Sequence, residues 1–161
     1  MTDLTFNIVE QSLVGVIDGT TINARAVSGG RAGSKLASAV NPLLANNPYL
    51  TSVKLSDATS GGTLPLGDYI LKTHESRENW IRVLPAEGSS TGDRSGFAIH
   101  GRGRRGSDGC IVPMDFHNVL TIHRLCRARE AAGSAPPTLA VVAIGDVDEP
   151  LRRIQQFQAT A

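Results

Sequence analysis

The chain has 161 residues, 40% of them hydrophobic, and a mean hydropathy of −0.08, enough for one domain with its own core. Sixteen Lys and Arg against fifteen Asp and Glu leave a net charge of +1, which argues against a globally basic nucleic-acid binder or a partner selected by bulk charge. Seventeen glycines, eight prolines and few aromatics favour a mainly β domain with many turns over a helical bundle.

In chain order, the N-terminus lacks a basic stretch followed by a long apolar run and a small-residue cleavage site, so no secretory signal is expected. No run reaches the roughly 18 to 20 apolar residues of a transmembrane helix, and membrane insertion is not expected. Leu4 to Val9, Ser12 to Ile17 and Thr20 to Ala26 read as strands of an antiparallel meander, with Asp18-Gly19 as a hairpin turn. SGGRAGSK is loop material, and Lys35 to Asn46 has helical spacing interrupted by Pro42. Ser52 to Leu55, Asp68 to Lys72, Asn79 to Leu84 and Gly96 to His100 read as strands. Pro113 to Glu130, apolar at 116, 119, 120, 122, 125 and 126, reads as the main helix. Thr138 to Ile144 reads as a buried strand and Pro150 to Phe157 as a short terminal helix. One domain over 1–161 is expected, with a meander and loop region at 1–49, a core at 50–146 and a tail at 147–161.

The chemistry concentrates in Phe97 to Pro113, FAIHGRGRRGSDGCIVP. His100 is expected to end a strand and Cys110 to precede a helix immediately. The free N–H groups of a first helical turn favour a thiolate and stabilise an oxyanion, while the imidazole takes the thiol proton. The glycines allow tight folding and close substrate approach. The bland alternative is a buried structural cysteine and a satisfied core histidine. The turn formers Ser107, Asp108 and Gly109 weigh against it, because they expose the backbone of the position they introduce.

IHG (Ile99 to Gly101) followed by GSDGCI (Gly106 to Ile111) resembles the active-site signature of the YkuD-type L,D-transpeptidases: His-Gly, a variable loop, then Ser-x-Gly-Cys and an apolar residue. LPLGDY (Leu64 to Tyr69) resembles the entry to an upstream strand of that family, and TLAVVAIG its closing strand. The likeness runs in order over about residues 50 to 146. The short loop and the N-terminal meander look more like the L,D-transpeptidase-like toxin domains delivered by type VI secretion. Many family members carry His where this chain has Asp108 and Arg or Asn where it has Val112.

The resemblance implies a YkuD-like twisted β-sandwich or barrel of mixed strands with one main helix following the cysteine. It implies Cys110 as nucleophile and His100 as general base, oriented by the carbonyl of Gly101. Backbone N–H groups of Gly109 and Cys110, with Asp108, would form an oxyanion hole, and Ser107 would shape the turn. The substrate implied is the tetrapeptide stem of peptidoglycan, cleaved or exchanged at its terminal D-alanine, without metal or organic cofactor. Expected partners are stem peptides, a cognate immunity protein and secretion-machinery components. The expected place of action is the periplasm of a target bacterium, after synthesis in the cytoplasm. Two alternatives stay open: a non-catalytic peptidoglycan-binding module, and another Cys–His hydrolase such as an endopeptidase or amidase.

Tyr69 reads as core before substrate platform, with a place in the cleft as the alternative, and Arg102, Arg104 and Arg105 are candidates to meet stem-peptide carboxylates. Those arginines occur once between predicted elements, unlike the repeated RGG segments of nucleic-acid binders, so no nucleic-acid partner is expected. His117 and His123 lie six residues apart, off the i, i+4 spacing of a helical zinc pair. Cys126 and Trp80 read as core, and His74 as a plain surface residue, with approach to the site from a neighbouring loop as the alternative.

Overall fold

A computed structural model describes residues 1–29, 62–89, 91, 95–102, 109–146, 148 and 152. The expected elements over Lys35 to Asn46 and Ser52 to Leu55, and all of Pro150 to Phe157 but Arg152, lie outside them. So do four candidate site residues, Arg104, Arg105, Ser107 and Asp108.

The protein is mainly β: among the described residues eight strands close into one mixed barrel, accompanied by one main helix. The strands are β1 (Leu4–Asn7), β2 (Ser12–Ile17), β3 (Thr20–Ser28), β4 (Gly67–Thr73), β5 (Ile81–Pro85), β6 (Ala98–Ile99), β7 (Ile111–Pro113) and β8 (Thr138–Val142), with α1 at Phe116–Ala132. Around the barrel they run β1-β2-β3-β7-β6-β5-β4-β8, and β8 returns to β1. The β1–β8 and β6–β7 pairs are parallel and the others antiparallel.

The local causes are those of hairpin chemistry. Asp18 and Gly19 both take positive φ, 47° and 78°, between the paired residues Ile17 and Thr20, as a two-residue type I′ turn requires. Alternation along β1 turns Leu4 and Phe6 inward opposite Leu139 and Val141 of β8, and all four are buried. Asn7 carries the β1–β8 seam past the strand ends: its Nδ2 donates to the Ile144 carbonyl at 2.9 Å and its Oδ1 accepts from the Ile144 and Val9 N–H groups. The N-terminal meander is therefore part of the barrel, since β1 closes it on β8 and β3 supports β7.

The main helix starts later than expected. The run after Cys110 is first a buried strand, β7, in which Val112 pairs with Val27 and Pro113 with Ala26. Only then does Asp115 cap α1, its carboxylate accepting from the His117 N–H at 2.9 Å. Ile-Val favours a strand, and its continuity with Pro-Met-Asp-Phe hid the boundary. At the far end Gly133, at φ 66°, donates to the Glu130 carbonyl while Ser134 N–H reaches Arg129 O, a Schellman stop. Val119, Ile122, Leu125 and Cys126 join the buried cluster.

Asp3 ties three elements together. It accepts from the Thr138 N–H at 2.8 Å and the Thr138 hydroxyl at 3.1 Å, and pairs with Arg129, which also reaches Asp18. Burial alone would raise its pKa, but the Thr138 and Arg129 contacts outweigh that and hold it below the usual carboxylate value. Its stabilising contribution is therefore full above the ordinary carboxylate pKa and disappears as pH falls through the depressed one. Asp3→Asn is expected to cost about 1–2 kcal/mol at neutral pH, discounted for partial exposure. Urea unfolding should show the gap between variant and parent narrowing on acidification.

Candidate active site

β5, β6 and β7 are consecutive neighbours in the barrel wall, and their registers assemble the site. Ile81 pairs with Ile99, and Ile99 pairs with Ile111; all three are fully buried and face the interior. Alternation turns the next residues to the opposite face. Extending the antiparallel register by one places Trp80 across from His100. Extending the parallel register places His100 across from Val112, with Cys110 as its diagonal neighbour on the same face. The ladder persists at His100, whose N–H donates to the Ile111 carbonyl at 3.1 Å. Diagonal neighbours on one face lie roughly 7–8 Å apart, and somewhat less at Cβ, within reach of aromatic and long side chains.

His100 is held on three sides. Its backbone is in the ladder, its Nδ1 lies 2.6 Å from the Gly101 carbonyl, and its ring stacks on Trp80 with centroids 4.2 Å apart and planes 11° from parallel. A carbonyl only accepts, so Nδ1 carries the proton and Nε2 presents the lone pair. The residue is 6% exposed. Burial is the main cause that pushes its pKa below the ordinary imidazole value; the Arg77 cation adds to this, and the Gly101 contact opposes it. The ring is therefore neutral at neutral pH, the state a general base needs.

Cys110 enters β7 at 9% exposure, and its Sγ makes a long contact, 4.0 Å, with the Gly96 carbonyl. Gly109 before it is buried with φ 100°, outside what an L side chain readily adopts. The turn leading into the cysteine thus requires glycine at that place. Gly109→Ala is expected to cost about 1–3 kcal/mol, read as a lowered melting temperature together with an altered alkylation rate at Cys110. Because β7 intervenes, α1 does not begin at Cys110, and the thiol does not stand at the start of the helix as expected. That part of the expected activation is corrected.

The other candidates divide. Gly101 lies beside Phe116: a Cβ there would meet the ring at 2.9 Å, so the first helical residue packs on the backbone that follows the histidine. Arg102 is exposed next to it. Tyr69 does not line a cleft: it is 1% exposed on the inward face of β4 and its hydroxyl donates to the Pro65 carbonyl at 2.6 Å. Cys126 is core, and burial, with Glu130 adding, pushes its thiol up to about 12. Trp80, expected in the core, is half-buried against His100 instead, and His74 meets its edge at 6.2 Å and 81°. Trp80 and Arg77 are the residues that sequence reasoning missed. The signal available was the position of Trp80 at the start of NWIRVL, adjacent to inward Ile81, but without the β5–β6 register it pointed at no partner.

A cavity of ≈ 480 Å³ lies elsewhere, lined by Asp18, Ala128, Arg129, Ala132, Ser134 and Ala135 near the end of α1. Phe116, at the start of the helix, is separated from Arg129 by roughly 20 Å of helix, and Arg129 is already paired with Asp3 and Asp18. The chemistry is therefore sought at the His100–Cys110 face. No family model matches the chain, and no curated protein or solved structure matches it.

Proposed function

We propose that the chain is a cysteine-dependent enzyme acting on the tetrapeptide stems of peptidoglycan, an L,D-carboxypeptidase or L,D-transpeptidase working through a Cys110 thioester. The observation that carries the proposal is a buried histidine with its Nδ1 2.6 Å from the Gly101 carbonyl, following the strand that pairs in parallel with the one Cys110 enters. The resemblance of IHG and GSDGCI to the YkuD-type signature supplies the substrate class.

In the proposed reaction, Nε2 of His100 takes the Cys110 thiol proton as sulfur attacks the carbonyl of the third stem residue. Negative charge on the carbonyl oxygen would be met by the backbone N–H groups of Gly109 and Cys110. His100 then returns the proton to the nitrogen of D-alanine as the C–N bond breaks, leaving the acyl group on sulfur. Water attacking the thioester, with His100 again as base, frees a tripeptide; an amine in its place gives exchange or a 3→3 cross-link. Every proton taken by the imidazole is given back, so His100 ends neutral. Neither step requires a carboxylate partner for the imidazole, because a carbonyl fixes its tautomer.

The likeness to type VI secretion toxin domains makes an antibacterial effector the proposed biological role, with periplasmic stems as target and an immunity protein blocking the cleft in the producing cell. Expression directed to the periplasm should be toxic and expression retained in the cytoplasm harmless; harmlessness in both compartments would reject the role. Intact-mass spectrometry tests the enzyme assignment. A tetrapeptide substrate should add the mass of the tripeptide acyl group to the wild-type chain and nothing to Cys110→Ala. Turnover without an adduct that traps on Cys110, and undiminished in Cys110→Ala, would reject it.

A further inference from the structure

Resting on the proposed role of His100 as base, we infer that Trp80 is its positioning residue, setting the plane of the imidazole so that Nδ1 stays on the Gly101 carbonyl and Nε2 faces Cys110. The Gly101 contact alone leaves the ring a degree of freedom, because a single hydrogen bond from Nδ1 permits tilting about its own axis. The stack on Trp80, at 4.2 Å and 11°, removes that tilt and covers one face of the ring. Cross-strand aromatic pairs are a common unit of sheet stabilisation, but this one lies on the outer face, beside a cysteine, with its tryptophan only half-buried.

The indole is itself fixed by the turn between β4 and β5. His74 N–H donates to the Trp80 carbonyl at 2.9 Å, and His74 Nδ1 accepts from the N–H groups of Ser76 and Arg77, both at 3.1 Å. Asn79 takes a left-handed conformation, φ 56°, which aims the next residue back at the sheet. Glu75 pairs with Arg82, tying the turn to β5. The Arg77 guanidinium sits 4.3 Å from the centroid of the Trp80 ring. A turn that only reversed the chain would not need a cation on the same indole that carries the histidine. At His100 burial is the main cause that disfavours the imidazolium and the Arg77 cation acts in the same direction, so the turn that carries the indole also reinforces the effect of burial. Among the described residues, Arg77 from this turn is the charged group acting on the imidazole, and His74 meets the edge of the indole; Cys110 enters the neighbouring strand and Arg102 follows two residues after His100 in the chain.

The test is a comparison of wild type, Trp80→Leu, Trp80→Phe and Arg77→Gln as full chains. NMR titration of the His100 ring and iodoacetamide alkylation of Cys110 against pH are read together with kcat and KM for D-alanine release. Trp80→Leu should raise the His100 midpoint toward the ordinary imidazole value and slow alkylation near neutral pH. It should lower kcat about 10- to 100-fold with little change in KM, and Trp80→Phe, which keeps a stacking ring, should restore most of each. Arg77→Gln should raise the midpoint without disturbing the ring-current shifts. A folded Trp80→Leu with the wild-type midpoint and alkylation profile overturns the inference. Should that variant not fold, wild type and Arg77→Gln decide: His100 ring protons without upfield ring-current shifts, or a midpoint insensitive to Arg77, overturn it. If wild type releases no D-alanine, the peptidoglycan reading fails, while the imidazole and thiol readouts still judge Trp80.

Discussion

Cys110→Ala is expected to lower the rate of D-alanine release at least about 10³-fold, because removing a nucleophile abolishes the covalent route and leaves only binding and electrostatic contributions. The fold should persist. Cysteine to alanine removes a single atom from a side chain outside the buried apolar cluster, so truncation opens little space. Cys126→Ala is the matching control: that thiol is 0% exposed in the core, its ionisation suppressed by burial, so the substitution should reduce stability while sparing turnover. The two cysteines thus predict opposite patterns, measured by melting temperature alongside product formation. Equal effects of the two substitutions on turnover would remove Cys110 from the mechanism.

His100→Ala should cost about 10²- to 10⁴-fold, the range expected for a positioned general base. The pH dependence carries more information than the magnitude. Burial, reinforced by Arg77, holds the imidazole below its ordinary pKa, so the neutral, competent form should already dominate at mildly acidic pH. The rate should therefore rise with pH through a midpoint below about 6.5, the unperturbed value, and be level above it as far as this group is concerned. A midpoint above that value would mean that the imidazole is exposed or paired with an anion during catalysis, contrary to its surroundings. His100→Ala should flatten this limb as well as lower it.

The parts of the fold that local chemistry dictates were legible in the sequence. Asp18-Gly19 announced a hairpin, and alternation in Leu4 to Val9 and Ser12 to Ile17 announced strands; each is present with boundaries shifted by a few residues at most. The mainly β architecture with one helix after the cysteine was legible too. What sequence could not supply was pairing between distant segments. That β1 closes the barrel on β8 and that β3 flanks β7 depends on registers across more than eighty residues of separation in each case, for which no local pattern codes. The same gap hid Trp80, whose meaning appears only once Ile81 is aligned with Ile99. The short β7 was lost for another reason: three buried residues followed by Met-Asp-Phe blend into a helical apolar pattern, and Asp115 was not separated from it as a cap.

For the site, the motif in Phe97 to Pro113 singled out His100 and Cys110, and the structure sets them one residue after Ile99 and one before Ile111, which pair in parallel. Tyr69, read as core with the cleft as its alternative, is in the core. Its strand position was right, parity on β4 turns it inward with Leu71, and its hydroxyl is engaged by Pro65. A residue next to a motif in sequence is not thereby next to it in space, because a shift of one position changes the face.

The most direct measurement is mass spectrometry of muropeptides from peptidoglycan treated with the purified chain, beside Cys110→Ala. The proposed activity predicts tetrapeptide stems converted to tripeptides by loss of one D-alanine, or to exchanged and 3→3-linked forms when amines are supplied, with none of these in the variant. Cleavage at another bond of the stem, or a product pattern unchanged by Cys110→Ala, would contradict it.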